Sequence, residues 1–182
     1  MKRNWYAVYT KPQQEKKVAS ILSKKGVQNF YPVNKVAGKN PSSKKMVMEP
    51  LFSSLVFVHI TEMELSSLKK IPGVVNVIYW ISKPAIIQNE EITAVQQFTS
   101  VYQNIKLEKC AVNITDMIRI TDDPIISFKE NAATIRFQTI KIKLPSLGYT
   151  MVAQREKVIN ERIPEVTHPV SFIKQLDSFL SN

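Results

Sequence analysis

Cysteine is nearly absent from this 182-residue chain. Cys110 stands alone, so no internal disulfide can form and no cysteine cluster can hold zinc. Glycine is scarce as well: four residues, at positions 26, 38, 73 and 148, cannot supply the closely spaced glycines of a phosphate-cradling loop. The two histidines, His59 and His168, fall in an expected strand and a proline-flanked loop, each without a ligand-spaced partner. Glu90 with Glu91 and Asp122 with Asp123 sit at an expected helix start and a turn, where structural uses account for them. Long apolar runs are missing too. The longest, around Leu55–Ile60 and Val74–Ile81, fall far short of the roughly 20 residues of a membrane-spanning helix. No positively charged start followed by an apolar run of signal length opens the chain. The expectation is a soluble, cytoplasmic, monomeric protein that is not an enzyme and uses no cofactor or metal.

Positive charge is present, and it is unevenly placed. The formal net charge is +10. Residues 1–50 hold 11 Lys and Arg against two acids, Glu15 and Glu49, whereas the rest of the chain holds 14 against 13. Nearly all the excess therefore lies in the first quarter, as an electrostatic footprint on a polyanion would have it; a solvated lysine-rich face is the plain alternative.

Asn4–Thr10 alternates bulky and small groups and reads as a strand. Pro12 suits the first turn of a helix in which Val18, Ile21 and Leu22 recur at helical spacing, with Gly26 placed to end it. Gln13, Lys16, Lys17, Ser20 and Lys24 fall on the opposite side of that helix. A second strand, Val27–Val36, is broken by Pro32 and leads to a basic hairpin tip at residues 37–45. Leu51–Ile60 is so continuously apolar that it reads as a central strand. Thr61 and Glu64 form a capping box for a short helix carrying Leu65 and Leu68 inward. Pro72-Gly73 turns into a strand over Val74–Ile81, and a helix opens at Asn89 and runs to about Gln103. Beyond a polar linker, short strands at 117–120, 133–137, 140–144 and 149–152 suggest a small β-barrel, and Ser171–Leu180 an amphipathic helix. The fold class expected is mixed α/β (α+β): an α/β sandwich over 1–104, a linker over 105–113, a barrel over 114–165 and a tail over 166–182.

Trp5-Tyr6-Ala7-Val8-Tyr9-Thr10 with Lys11 and Gln14-Glu15-Lys16-Lys17-Val18-Ala19, Glu49-Pro50-Leu51-Phe52 with Val56-Phe57-Val58, and Ile71-Pro72-Gly73-Val74 occur in this order and at suitable spacing. They resemble the NusG family of transcription elongation factors, and in particular its operon-specific, RfaH-like and capsular polysaccharide antiterminator paralogues. The C-terminal part resembles that family's KOW barrel through Val112–Thr121 and Leu144-Pro145-Ser146-Leu147-Gly148-Tyr149. The resemblance implies an N-terminal domain that grips the β′ clamp helices of RNA polymerase in an apolar concavity and suppresses pausing and termination. By position, Tyr9, Leu55, Phe57, Val58 and Ile78 would form or border that concavity. Ser66 and Ser67 would meet the β subunit. Lys11, Gln14, Lys17, Lys24 and Lys25 would meet the non-template DNA strand, joined by Lys39, Lys44 and Lys45 of the hairpin tip. A ribosomal protein would be a partner of the C-terminal domain.

Two departures from the family pattern stand out. Ser53-Ser54-Leu55 replaces the usual Pro-Gly-Tyr, and the glycines expected after Pro124 are missing, which predicts altered barrel loops. The readings that compete are an operon-specific antitermination factor, a general NusG-type factor, and a KOW-type RNA-binding or ribosome-associated protein. The last would need basic residues concentrated in the barrel, where they are not.

Overall fold

Alternation along the first strand decides the architecture, because a strand with apolar residues on both sides must be covered on both. The computed structural model describes residues 2–38, 45–80, 82–110, 119–122, 126–130 and 133–159. The elements are β1 (Asn4–Thr10), α1 (Glu15–Lys24), β2 (Gln28–Phe30), β3 (Val33–Ala37), β4 (Met46–Pro50) and β5 (Leu55–Ile60). A 3₁₀ turn, Glu62–Glu64, then runs into α2 (Leu65–Leu68), β6 (Val74–Val77), β7 (Tyr79–Trp80), β8 (Lys83–Pro84), β9 (Ile86–Ile87) and α3 (Asn89–Val101). The C-terminal strands are β10 (Lys106–Lys109), β11 (Arg119–Asp122), β12 (Ile126–Glu130), β13 (Ala133–Leu144) and β14 (Tyr149–Ile159). The fold is mixed α+β with strands dominating.

The N-terminal sheet is antiparallel, in the order β2-β5-β1-β6, with β9 pairing β1 beside β6. On one face Tyr6, Val8, Val56, Val58 and Ile60 pack with Val18 and Leu22 of α1 and Leu65 and Leu68 of α2. The lysines of α1 stay outside, as the helical spacing requires. Gly73, at φ +94°, lets the turn before β6 press on α1, where a Cβ would come within 2.9 Å of Val18 Cγ2. Glu64 closes the start of the 3₁₀ turn by accepting the Thr61 N–H and hydroxyl, both at 2.8 Å. Those bonds, with the Thr61 N–H foremost, hold its carboxyl below the ordinary value.

The second sheet is antiparallel in the order β10-β14-β13-β11, with β12 also on β13. Among the described residues no pairing closes it into a barrel. Residues 111–118, 123–125, 131–132 and 160–182, which carry parts of the expected barrel, His168 and the expected tail helix, lie outside the described residues.

Several local expectations change: the strand expected over Val74–Ile81 stops at Val77 while Tyr79–Trp80 pairs Lys83–Pro84 in a separate two-stranded sheet, and the strand expected over 149–152 runs on to Ile159. The central strand begins at Leu55 rather than Leu51, because the chain turns a corner first. Ser54 sits at φ +60°, its N–H donating to the buried Glu15 Oε1 at 2.7 Å and its carbonyl accepting from Thr10 N–H at 2.9 Å. Residues 106–109, inside the expected linker, form a strand on β14, since the alternation Ile105-Lys106-Leu107 gives that segment an apolar side. The expected strands 133–137 and 140–144 fuse into one twelve-residue strand, Gln138-Thr139 having no turn-forming character.

The corner yields a stability test. A non-glycine residue in the left-handed region costs roughly 1–2 kcal/mol, so Ser54→Gly is expected to raise the unfolding free energy by up to about 1 kcal/mol. Glu15→Ala removes the buried acceptor and is expected to lower it by about 1.5–3 kcal/mol. Urea titration followed by circular dichroism checks both; opposite signs would remove the corner from the account.

Candidate functional site

The other face of the N-terminal sheet carries Trp5, Ala7 and Tyr9 of β1, opposite His59, Phe57 and Leu55 of β5. Phe57 is fully buried and Leu55 nearly so. Their cluster contains Ile92, Val95 and Phe98 of α3, and also Ile140, Ile142, Leu144, Met151 and Ala153 of the β13–β14 hairpin. The hairpin can do this because its alternation is strict: Ile140, Ile142 and Leu144 are buried while Lys141 and Lys143 between them are not. The register places Ile140 across from Ala153, Ile142 from Met151 and Leu144 from Tyr149, so both strands present one apolar face. A chain of rings bridges the two sheets. Phe30 lies 6.2 Å from Phe57, Phe57 meets Phe52 edge-on at 5.6 Å, and Phe52 meets Tyr149 at 5.6 Å.

The residues expected at this face divide accordingly. Leu55 and Phe57 share it and are covered, Ile78 packs at its margin, and Tyr9 remains half exposed. Val58 is a correction: it neighbours Phe57 along β5, so the pleat turns it to the opposite face, against Val18 and Leu22. Alternation alone would have excluded it. Phe30, Phe52 and Tyr149 also belong to this face, and the rhythm of residues 140–144 was the signal for its cover.

The basic flank starts at Lys11, just past the C-terminal end of β1, and follows α1 back towards the level of Trp5. Lys11, Lys17, Lys24, Lys25 and Lys45 are exposed, and none has a carboxylate partner among the described residues. Gln14 differs from them, being half-buried against the Gly73 turn. Lys39 and Lys44 lie outside the described residues. Ser66 and Ser67 are exposed on α2, with their hydroxyls donating back to Met63 and Glu64 carbonyls at 3.4 and 2.6 Å. Among the described residues no group of three or more His, Cys, Asp or Glu converges as a metal site.

One charged group stands between the sheets. Glu91 of α3 is 1% exposed, and its Oε1 accepts the Ser146 N–H at 2.8 Å from the turn joining β13 and β14. Its other oxygen has no hydrogen-bond partner. Burial raises its carboxyl pKa above the ordinary 4.5, outweighing the opposing Ser146 hydrogen bond.

A raised carboxyl pKa means the folded state holds its proton more tightly than the unfolded one. The stabilisation is complete below pH 4.5 and is lost as pH rises through the raised value. The unfolding free energy of the wild type is therefore expected to fall over that rise relative to Glu91→Gln, which keeps an acceptor for Ser146 without the charge. Parallel pH–stability curves for the two proteins would remove Glu91 as a determinant of docking.

One comparison with known proteins falls on the segment that builds this sheet. A family model described as "Transcription termination factor nusG" matches residues 3–96, just over half of the chain. No curated protein matches. Among solved structures, one titled "Domain interaction in Thermotoga maritima NusG" is 16% identical and covers 88% of this chain and 94% of that one, with a TM-score of 0.43. The family match runs from the start of β1 into α3 and takes in both faces of the N-terminal sheet, and on that ground the chain belongs to the NusG family of transcription elongation and termination factors, proteins that act on RNA polymerase.

Proposed function

We propose that this protein is a specialised, operon-specific elongation factor that suppresses pausing and termination, and that its polymerase-binding face is held covered until a trigger undocks the C-terminal hairpin. The observation that carries this reading is that Leu55 and Phe57 are buried in one cluster with Ile142, Leu144 and Met151 of the hairpin. A partner helix pair seeking that face must displace the hairpin, so its apparent affinity is reduced by the fraction of molecules that are open. A factor working on every transcription unit gains nothing from such a penalty, whereas one recruited to few units is kept from the rest. This favours the specialised reading over a general NusG.

In the open state Leu55, Phe57 and Ile78 form the surface for the β′ clamp helices, with half-exposed Tyr9 as its accessible edge. Ser66 and Ser67 approach the β subunit. The unpaired lysines at 11, 17, 24, 25 and 45 lie along the non-template DNA strand, with Lys39 and Lys44 extending the same basic segment. Lysines contact phosphates without reading sequence, so they position the factor on the strand. The released C-terminal sheet is then free to meet a second partner, such as a ribosomal protein. Among the described residues no helix is long and apolar enough to cross a membrane, in keeping with action in the cytoplasm.

Two measurements test this reading. Met151→Asp places a charge in the covered contact and is expected to strengthen binding to reconstituted elongation complexes at least ten-fold over wild type, with the N-terminal domain still cooperatively folded. Failure of both proteins to bind overturns the polymerase reading, and equal binding overturns the masking. In the Met151→Asp background, Lys17→Gln with Lys24→Gln is expected to lower the magnitude of the logarithmic salt slope by about 1.4, two phosphate contacts on a single strand. An unchanged slope would remove α1 from the DNA contact.

A further inference from the structure

A second surface lies at the N-terminal end of β1, where Lys2 and Arg3 precede the strand. There the start of β1, the end of β5, the β7–β8 hairpin and the start of α3 enclose an open cleft of about 1180 Å³. Trp5 and His59, directly paired across β1 and β5, form its floor with ring centroids 5.1 Å apart and planes tilted by 30°. Trp5 is fixed there, its indole N–H donating to Asn89 Oδ1 at 3.2 Å. Trp80, 44% exposed, stands on the β7–β8 hairpin as one wall. Lys2, Arg3 and Lys83 line the rim and are exposed; Glu90 is the one acid in the lining. Arg3 has a neighbour in Glu64 at 3.7 Å, but both side chains are about half exposed, so the pair is weak and exchangeable.

We propose that this cleft binds single-stranded RNA, a base stacking against Trp80 over the Trp5–His59 floor and the adjoining phosphates meeting Lys2, Arg3 and Lys83. The combination of flat aromatic surface with an excess of cations is the chemistry of sequence-tolerant single-strand binding, because every base has a π-face and every linkage a charge. An acidic peptide would satisfy the cations but leave the indoles without a planar partner. The choice of RNA rests on the proposed function. The α1 lysines assigned to the displaced DNA strand stand on a helix that packs through Val18 and Leu22 on the opposite face of the sheet from Trp5, so the cleft does not continue that surface. The other single strand in an elongation complex is the transcript.

Both tryptophans of the chain line this cleft, so intrinsic fluorescence reports on it directly. Full-length protein, without polymerase, is titrated at low salt with a mixed-sequence 12-nucleotide RNA and with its DNA counterpart. Quenching is expected with RNA, at lower affinity with DNA, and Trp80→Ala should weaken RNA binding by roughly ten-fold as followed by anisotropy of labelled RNA. Lys2→Gln with Lys83→Gln should reduce its salt dependence, while Lys69→Gln with Lys70→Gln, exposed just after α2 on the other face of the sheet, should leave it unchanged. The inference is overturned by an absence of quenching, by equal affinity of wild type and Trp80→Ala, or by loss of RNA binding in the Lys69→Gln with Lys70→Gln variant. DNA binding as tight as RNA overturns the assignment to the transcript. Because polymerase is absent from this titration, its failure is distinguishable from failure of the elongation-complex assay.

Discussion

Trp5, Ala7, Leu55 and Phe57 share one face of the N-terminal sheet, and burying that face is the constraint from which the placing of both halves of the chain follows. α3 contributes Ile92, Val95 and Phe98 to the cover, and the remainder comes from Ile140, Ile142, Leu144, Met151 and Ala153. The C-terminal sheet in turn has one apolar side, because lysines alternate with aliphatics along β13. Each sheet thus supplies the surface that the other needs, and the Phe52–Tyr149 ring contact marks where they meet. The other face of the N-terminal sheet, packed on α1 and α2, is independent of this arrangement. That independence lets the N-terminal sheet keep a complete layer of its own when the hairpin leaves.

What the sequence made legible was local. The strand Asn4–Thr10, the α1 stripe of Val18 and Leu22, the Thr61–Glu64 cap and the acidic start of α3 depend on residues a few positions apart, and each stands where its pattern put it. The corner at Ser54 was not legible, because the group that holds it, Glu15, is 39 residues away. The departure from Pro-Gly-Tyr is plain in the sequence, but its consequence is not: serine occupies the left-handed geometry that glycine takes without strain, and a buried carboxylate secures it. The hairpin docking is longer in range still, Glu91 and Ser146 being 55 positions apart. The placing of Val58 is a different kind of error. The period of two was present in the sequence and, applied along β5, separates Val58 from Phe57.

The electrostatic layout reinforces this division. β1 carries cations beyond both ends, Lys2 and Arg3 at one and Lys11 at the other, while its middle is wholly buried. A polyanion can approach the ends but not the centre, and the centre is open only to an apolar partner. Docking of the hairpin covers the centre and leaves the α1 lysines exposed. Charge contact at the α1 flank is therefore available in the closed state, and apolar contact only in the open one. On the proposed function, an encounter with nucleic acid would precede displacement of the hairpin, an order that steering by exposed charge also favours kinetically.

The strength of the closed state comes from apolar area, since each fully buried aliphatic side chain of the hairpin contributes about 1.5–3 kcal/mol relative to exposure. Glu91 acts against it. A carboxyl at 1% exposure loses hydration that its hydrogen bonds, the Ser146 N–H foremost, do not restore, which is why its pKa is raised rather than lowered. An aliphatic residue there would serve stability better, because desolvating a buried charge costs more than one hydrogen bond returns. In the proposed opening, undocking would restore the hydration of this carboxylate at the same moment that it exposed Leu55 and Phe57. The apolar cluster shared by the two sheets supplies the attraction and Glu91 limits it.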